Sequence, residues 1–131
     1  MKGEFIMEIG SLEDYELEIY ITNIMLDIGV PAHLKGYQYL RDAILLSGRD
    51  MEVVSSVTKL LYPTVAKHFK TTHQKVERAI RNAIEVSWER GNCATFEKMF
   101  GYSPASGKNR PTNSEYIARI ADKVRLDIKS M

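Results

Sequence analysis

The chain has 131 residues, 44% of them hydrophobic, which is enough for one domain with a real core and too few for two ordinary ones. A single cysteine, Cys93, excludes an internal disulfide framework, and no apolar run reaches the length of a membrane span or signal-peptide core, so a reducing cytoplasm is the expected home. The formal net charge of +1 hides a division: residues 1–20 are acidic, whereas Lys67 to Arg90 and Lys108 to Lys129 carry a basic excess that suits a phosphate-bearing partner.

Taken in chain order, the patterns are helical. Residues 1–12 read as a linker or appended sequence, and the domain is placed at 13–131. Tyr15, Ile19, Thr22 and Ile24 to Leu26 recur at helical spacing and stop at Gly29-Val30-Pro31, where glycine can take a left-handed cap and proline cannot continue the helix. A second helix is expected from His33 or Leu34 to about Ser47, and a third from Met51 to Leu61. Pro63 suits the first turn of a short helix ending near Phe69. Thr71, followed three residues later by Gln74, fits a capping box, so a longer helix is expected from about Thr72 to Glu89, ending at Gly91. Ala94 to Phe100 suggests a short helix, GYSPASGKNRPTN a loop, and a last helix starts near Thr112 or Asn113. Alternating apolar and polar residues of the kind a sheet needs are missing, so the expected fold is all-α: a bundle of about six helices containing a helix-turn-helix.

On a helical wheel, Val76, Ile80, Ala83 and Ser87 share one side of the long helix, while Gln74, Lys75, Arg78, Arg81, Asn82 and Glu85 share the other. That is the arrangement a helix-turn-helix needs, because its second helix packs with one face and offers donors to base edges with the other. Val65 and Phe69 supply buried apolar positions in the first helix, and Ala66 is small enough for close contact. Lys70 stands where glycine is common in such turns, so another backbone conformation is expected there. Arginine can donate twice to guanine, and Asn or Gln can pair twice with adenine, while Lys and Thr hold phosphates without reading sequence. Gln74, Lys75, Arg78, Arg81 and Asn82 are therefore candidate base contacts. Lys67, Lys70, Thr71 and Thr72, at a helix entrance whose free N–H groups favour an anion, are candidate phosphate contacts, and His73 beside the turn joins them. The competing reading is a solvated amphipathic helix whose charges only confer solubility.

The segments IGVPAHLKGYQYLRDAI, TKLLYPTVAKHF, VERAIRNAIEVSWERGN, FGYSP and RPTNSEYIARIADKVRLD resemble the DNA-binding effector domain of the stage-zero sporulation protein A family, response-regulator transcription factors of spore-forming bacteria. The resemblance covers about Asp14 to Asp127. It implies a six-helix domain that recognises a short promoter box and activates or represses early sporulation genes. Through VERAIR it gives the recognition role to Glu77, Arg78 and Arg81. Lys75 stands where the family has arginine, and Asn82 where histidine is usual. The segment NCATFEKMFGY corresponds to the region that contacts the RNA polymerase sigma subunit, and Thr95, Glu97 and Lys98 are its candidate contacts, with Phe96, Met99 and Phe100 assigned to the core. The family's phosphoacceptor receiver domain has no counterpart in the sequence, so the chain is expected to be the effector half of a longer regulator or a freestanding relative. The resemblance also implies tandem boxes and a homodimer on DNA, for which the apolar stripe Tyr116, Ile117, Ile120, Ala121, Val124 and Ile128 is the candidate neighbour surface, unless the monomer buries all of it.

His33, His68, His73 and Cys93 make no metal-ligand spacing, and no phosphate loop or nucleophile motif occurs, so neither an enzyme, a metal nor a cofactor is expected. The rival to promoter DNA as the partner is a helical protein-interaction module using the same amphipathic faces. Trp88 is expected to pack against the body of the domain.

Overall fold

The computed structural model describes the backbone of residues 2–130 and the side chains of residues 14–130. Seven α-helices and no strand occur among the described residues: α1 (Lys2–Asp27), α2 (Lys35–Arg49), α3 (Met51–Val54), α4 (Tyr62–His68), α5 (His73–Arg90), α6 (Cys93–Phe100) and α7 (Asn113–Lys129). The linker reading of residues 1–12 falls outside the described side chains.

The all-α expectation holds because most segments bury one apolar face. α2 lies at the centre, packing Leu40, Ala43 and Ile44 against α5 and α7. α5 answers with Val76, Ile80, Ala83 and Ile84, and α7 with Tyr116, Ile117, Ile120 and Val124. The last described turns of α1 add Ile21, Ile24, Met25 and Ile28. Gly29 takes the left-handed cap with φ 86°, as its position after the α1 pattern requires. Of the polar groups that enter this core, the hydroxyls of Ser87 and Tyr116 satisfy each other, whereas the buried Ser47 hydroxyl of α2 has no protein partner among the described residues. Ser87 Oγ donates to the Ile28 carbonyl at 2.8 Å and accepts from the Tyr116 hydroxyl at 2.9 Å. Burial pushes that hydroxyl's pKa above the usual tyrosine range, so it stays protonated and donating.

Three expectations need correcting. The helix expected over Met51–Leu61 is broken: α3 ends at Val54, and Val57–Leu61 forms a π-helical turn in which the amides of Leu60 and Leu61 both reach the Ser56 carbonyl, at 2.8 and 3.2 Å. Ser55 weakens the helix here, since its Oγ donates to the Glu52 carbonyl at 2.7 Å and competes with the helical ladder. The start of α5 is capped by Thr72, not by a Thr71-Gln74 box. Thr72 Oγ1 accepts from the Lys75 amide at 3.3 Å, and with lysine in the third helical position no reciprocal bond forms. Finally, Phe69 is 36% exposed where a buried position was expected. It is the C-cap of α4, outside the helical register, and it packs edge-on against Tyr39 with ring centroids 5.1 Å apart.

The α7 stripe is largely consumed by the monomer: Tyr116 to Val124 are buried, and only Ile128 and the neighbouring Leu126 stay exposed. Trp88 meets Phe96 and Tyr102 edge-on at 5.0 and 5.9 Å, in keeping with a place against the body of the domain. Phe96 and Phe100 are buried and Met99 is half-buried, also as expected.

Candidate nucleic-acid interface

The turn between α4 and α5 determines what α5 can present. Lys70 has φ 54°, the left-handed conformation glycine adopts freely, so the expectation of a different backbone path is wrong. The Lys70 amide bonds the Lys67 carbonyl at 3.4 Å and the Thr71 amide bonds the Ala66 carbonyl at 2.9 Å. These two bonds close α4 in a Schellman motif, which forces the intervening residue into that region whatever its side chain. A lysine held there at a conformational cost of about 1–2 kcal/mol points to a use for its charge. We expect Lys70→Gly to stabilise the domain by about 0.5–1 kcal/mol in urea unfolding while weakening binding to every duplex alike. A loss of stability would show that the strain is not borne at this residue.

Two clamps fix α5 against the rest of the fold. From α2, the helix approaches so closely at Gly36 that a Cβ there would collide with the Ala79 backbone carbonyl. From α7, Asn113 Nδ2 donates to the Tyr62 hydroxyl at 2.8 Å and to the Glu77 carbonyl at 3.2 Å, tying α4, α5 and α7 at one point. What remains uncovered is the outer face. Gln74, Lys75, Arg78, Arg81 and Asn82 are all exposed, and Glu77 is half-buried.

The outer face divides into two flanks. On one, Lys75, Arg78 and Asn82 border a concavity of about 550 Å³ with Thr71, Lys35 and Tyr39. Neither Lys75 nor Arg78 is held in an ion pair among the described residues, so their donors are free for a ligand. On the other flank, Glu77 and Arg81 border a concavity of about 710 Å³ whose far wall is Lys108 to Ser114. Here the charges that α5 contributes are already engaged. Arg81 pairs with Glu77 at 2.9 Å and Arg110 with Glu85 at 2.8 Å, all partly exposed. Such exposed pairs are worth little and can be exchanged for a phosphate or base. Glu77, as a carboxylate, only accepts, which suits a cytosine amino group.

The phosphate candidates gather at the α5 entrance. Lys67, Lys70, Thr72 and His73 are exposed and Thr71 is half-buried. The N-cap role of Thr72 uses its oxygen as an acceptor and leaves its hydroxyl proton free to donate. Sequence reasoning did not single out Lys35 and Tyr39 of α2, or Lys108 and Arg110 of the loop before α7, which wall the two concavities. Their signal was present in Lys35 and Tyr39 at helical spacing and in the basic run KNR before Pro111.

α6 holds the sigma candidates. Glu97 and Lys98 are exposed, Thr95 is half-buried, and Glu97 Oε1 accepts from Ser103 Oγ at 3.4 Å. No cluster of three or more metal-binding side chains occurs among the described residues, and no described helix is long and apolar enough to cross a membrane. The family model described as "Sporulation initiation factor Spo0A C terminal" matches residues 21–124.

Proposed function

Because the chain belongs to the sporulation initiation factor Spo0A C-terminal family, we propose that it binds short promoter boxes by laying α5 in the major groove, and so controls transcription at the start of sporulation from the cytoplasm. The observation that carries this is the exposed row Lys75, Arg78 and Asn82, free of ion pairs among the described residues, on a helix whose opposite face is clamped by α2 and α7. Gln74, Lys75, Glu77, Arg78, Arg81 and Asn82 read base edges, while Lys67, Lys70, Thr71, Thr72 and His73 hold the backbone. Thr95, Glu97 and Lys98 on α6 meet the RNA polymerase sigma subunit. Where the chain is part of a longer regulator, a receiver domain sets its activity. We assign it no catalysis and no cofactor.

Titrating a duplex at rising salt tests the reading against a protein-interaction module. Each phosphate neutralised should contribute about −0.9 to the slope of log affinity against log salt. A flat response would favour an apolar groove as the functional surface.

Two copies are proposed to bind adjacent boxes cooperatively. One recognition helix contacting a few base pairs discriminates modestly, and a second copy about one helical turn away multiplies that discrimination. With most of the α7 stripe buried, the contact available from this helix is its exposed end, Leu126 and Ile128, beside Lys129. In a gel-shift titration, a probe with two boxes should pass to the doubly bound species with little singly bound intermediate. Equal apparent affinity per site on one-box and two-box probes would sink this.

A further inference from the structure

We propose that His68 is a proton-dependent contact to a backbone phosphate, with ring orientation and proton set by Asp42; the proposal rests on the DNA-binding reading above. His68 is the last residue of α4, and its Nδ1 lies 2.8 Å from Asp42 Oδ2 on α2. The Asp42 side chain is 16% exposed and that of His68 47%, so the carboxylate is enclosed while the ring keeps an open edge. The pair borders the candidate interface. Lys35, Tyr39 and Asp42 follow one another at helical spacing along α2. Lys35 and Tyr39 wall the concavity shared with Thr71, Lys75 and Arg78, and Tyr39 packs against Phe69, the neighbour of His68. On its other side His68 shares a shallow hollow with Lys59, Thr64 and Lys67.

The chemistry follows from the number of protons on the ring. A neutral imidazole has one N–H. If Asp42 takes it at Nδ1, Nε2 presents a lone pair, which repels a phosphate oxygen; only the imidazolium can donate to Asp42 and to a phosphate together. Beside Asp42 of α2, the charged groups sharing the ring's surroundings are Lys67 of α4 and Lys59 of the π turn. Glu18 of α1 acts on Asp42 from behind and is itself paired with Arg41. An arriving phosphate gives the ring a second acceptor opposite Asp42, so duplex binding draws a proton onto His68. The complex then holds more protons than its free components, and affinity for every sequence rises as pH falls through neutrality.

The test is fluorescence anisotropy with one boxed and one random duplex at about pH 6 and about pH 8, a range that spans imidazole titration. The proteins are wild type, His68→Gln, Asp42→Asn and, because His73 is the other imidazole assigned to the backbone, His73→Gln. Wild type should lose about fivefold or more in affinity between the two pH values on both duplexes, and His73→Gln, which lacks one backbone contact, should bind more weakly at both values yet keep most of that ratio. His68→Gln should lose most of that dependence, and Asp42→Asn should bind more weakly at the lower pH. Calorimetry in two buffers of different ionisation heat should count proton uptake for wild type and a smaller uptake for His68→Gln. Retention of the full pH dependence by His68→Gln would overturn the proposal while leaving the DNA-binding reading intact. A wild-type domain that binds neither duplex would overturn that reading, and this proposal with it.

Discussion

Gly36→Val should destabilise the domain by about 3 kcal/mol or more in urea unfolding. A Cβ at this position would fall on the Ala79 backbone carbonyl and lie 2.9 Å from the Ala83 Cβ. The carbonyl belongs to the α5 ladder and cannot rotate aside, so relief requires sliding α2 and α5 apart, and these two helices share the centre of the core. Even Gly36→Ala should cost about 2 kcal/mol, against the usual gain from replacing a helical glycine. Gly48 in the same helix provides the contrast, since the nearest atom to a Cβ there is Val124 Cγ1 at 3.9 Å. Gly48→Ala should be neutral or stabilising by up to about 1 kcal/mol. Equal effects at Gly36 and Gly48 would mean that helix propensity, not the closeness of α2 to α5, governs both sites.

Arg78→Ala should cost about 1–3 kcal/mol of binding free energy on a preferred box and flatten preference at one base position. Arg78 lies on the flank of α5 whose cations are free of ion pairs among the described residues, so its donors need not be released from a partner before binding. Arg81 differs, because its pair with Glu77 at 2.9 Å must open or be carried onto the base together. The contrast with Lys70→Gly separates the two kinds of contact: that substitution should weaken boxed and random duplexes by the same factor and leave base preference intact. Equal losses on both duplexes for Arg78→Ala would place Arg78 on the backbone.

What was legible in the sequence was the part governed by helical periodicity. Val76, Ile80, Ala83 and Ser87 were read as one buried face of α5, and they are buried. The misreadings lie where local hydrogen bonding overrides periodicity. Ser55 interrupts an apolar pattern that continues across it, because its hydroxyl competes with the ladder. Lys70 was read through its dislike of positive φ, whereas the Schellman closure of α4 makes that conformation compulsory and the side chain follows. Phe69 was read as a core position because it continues the α4 spacing, yet its backbone has already left the helix. Among the site residues, the exposed row on α5 was visible on a wheel. The α2 and loop residues that wall it, Lys35, Tyr39, Lys108 and Arg110, become neighbours only through tertiary packing, which spacing within one helix cannot reveal. The Asp42–His68 pair is of the same kind, since it joins residues 26 apart in sequence.

Selection of binding sites from a pool of randomised duplexes tests the central claim most directly, because it asks for sequence-specific recognition without presupposing the site. Wild type should enrich one short box, and Arg78→Ala carried through the same selection should yield that box with one position degenerate. Recovery of an unenriched pool by wild type, with binding that depends on salt but not on sequence, would contradict base readout by α5.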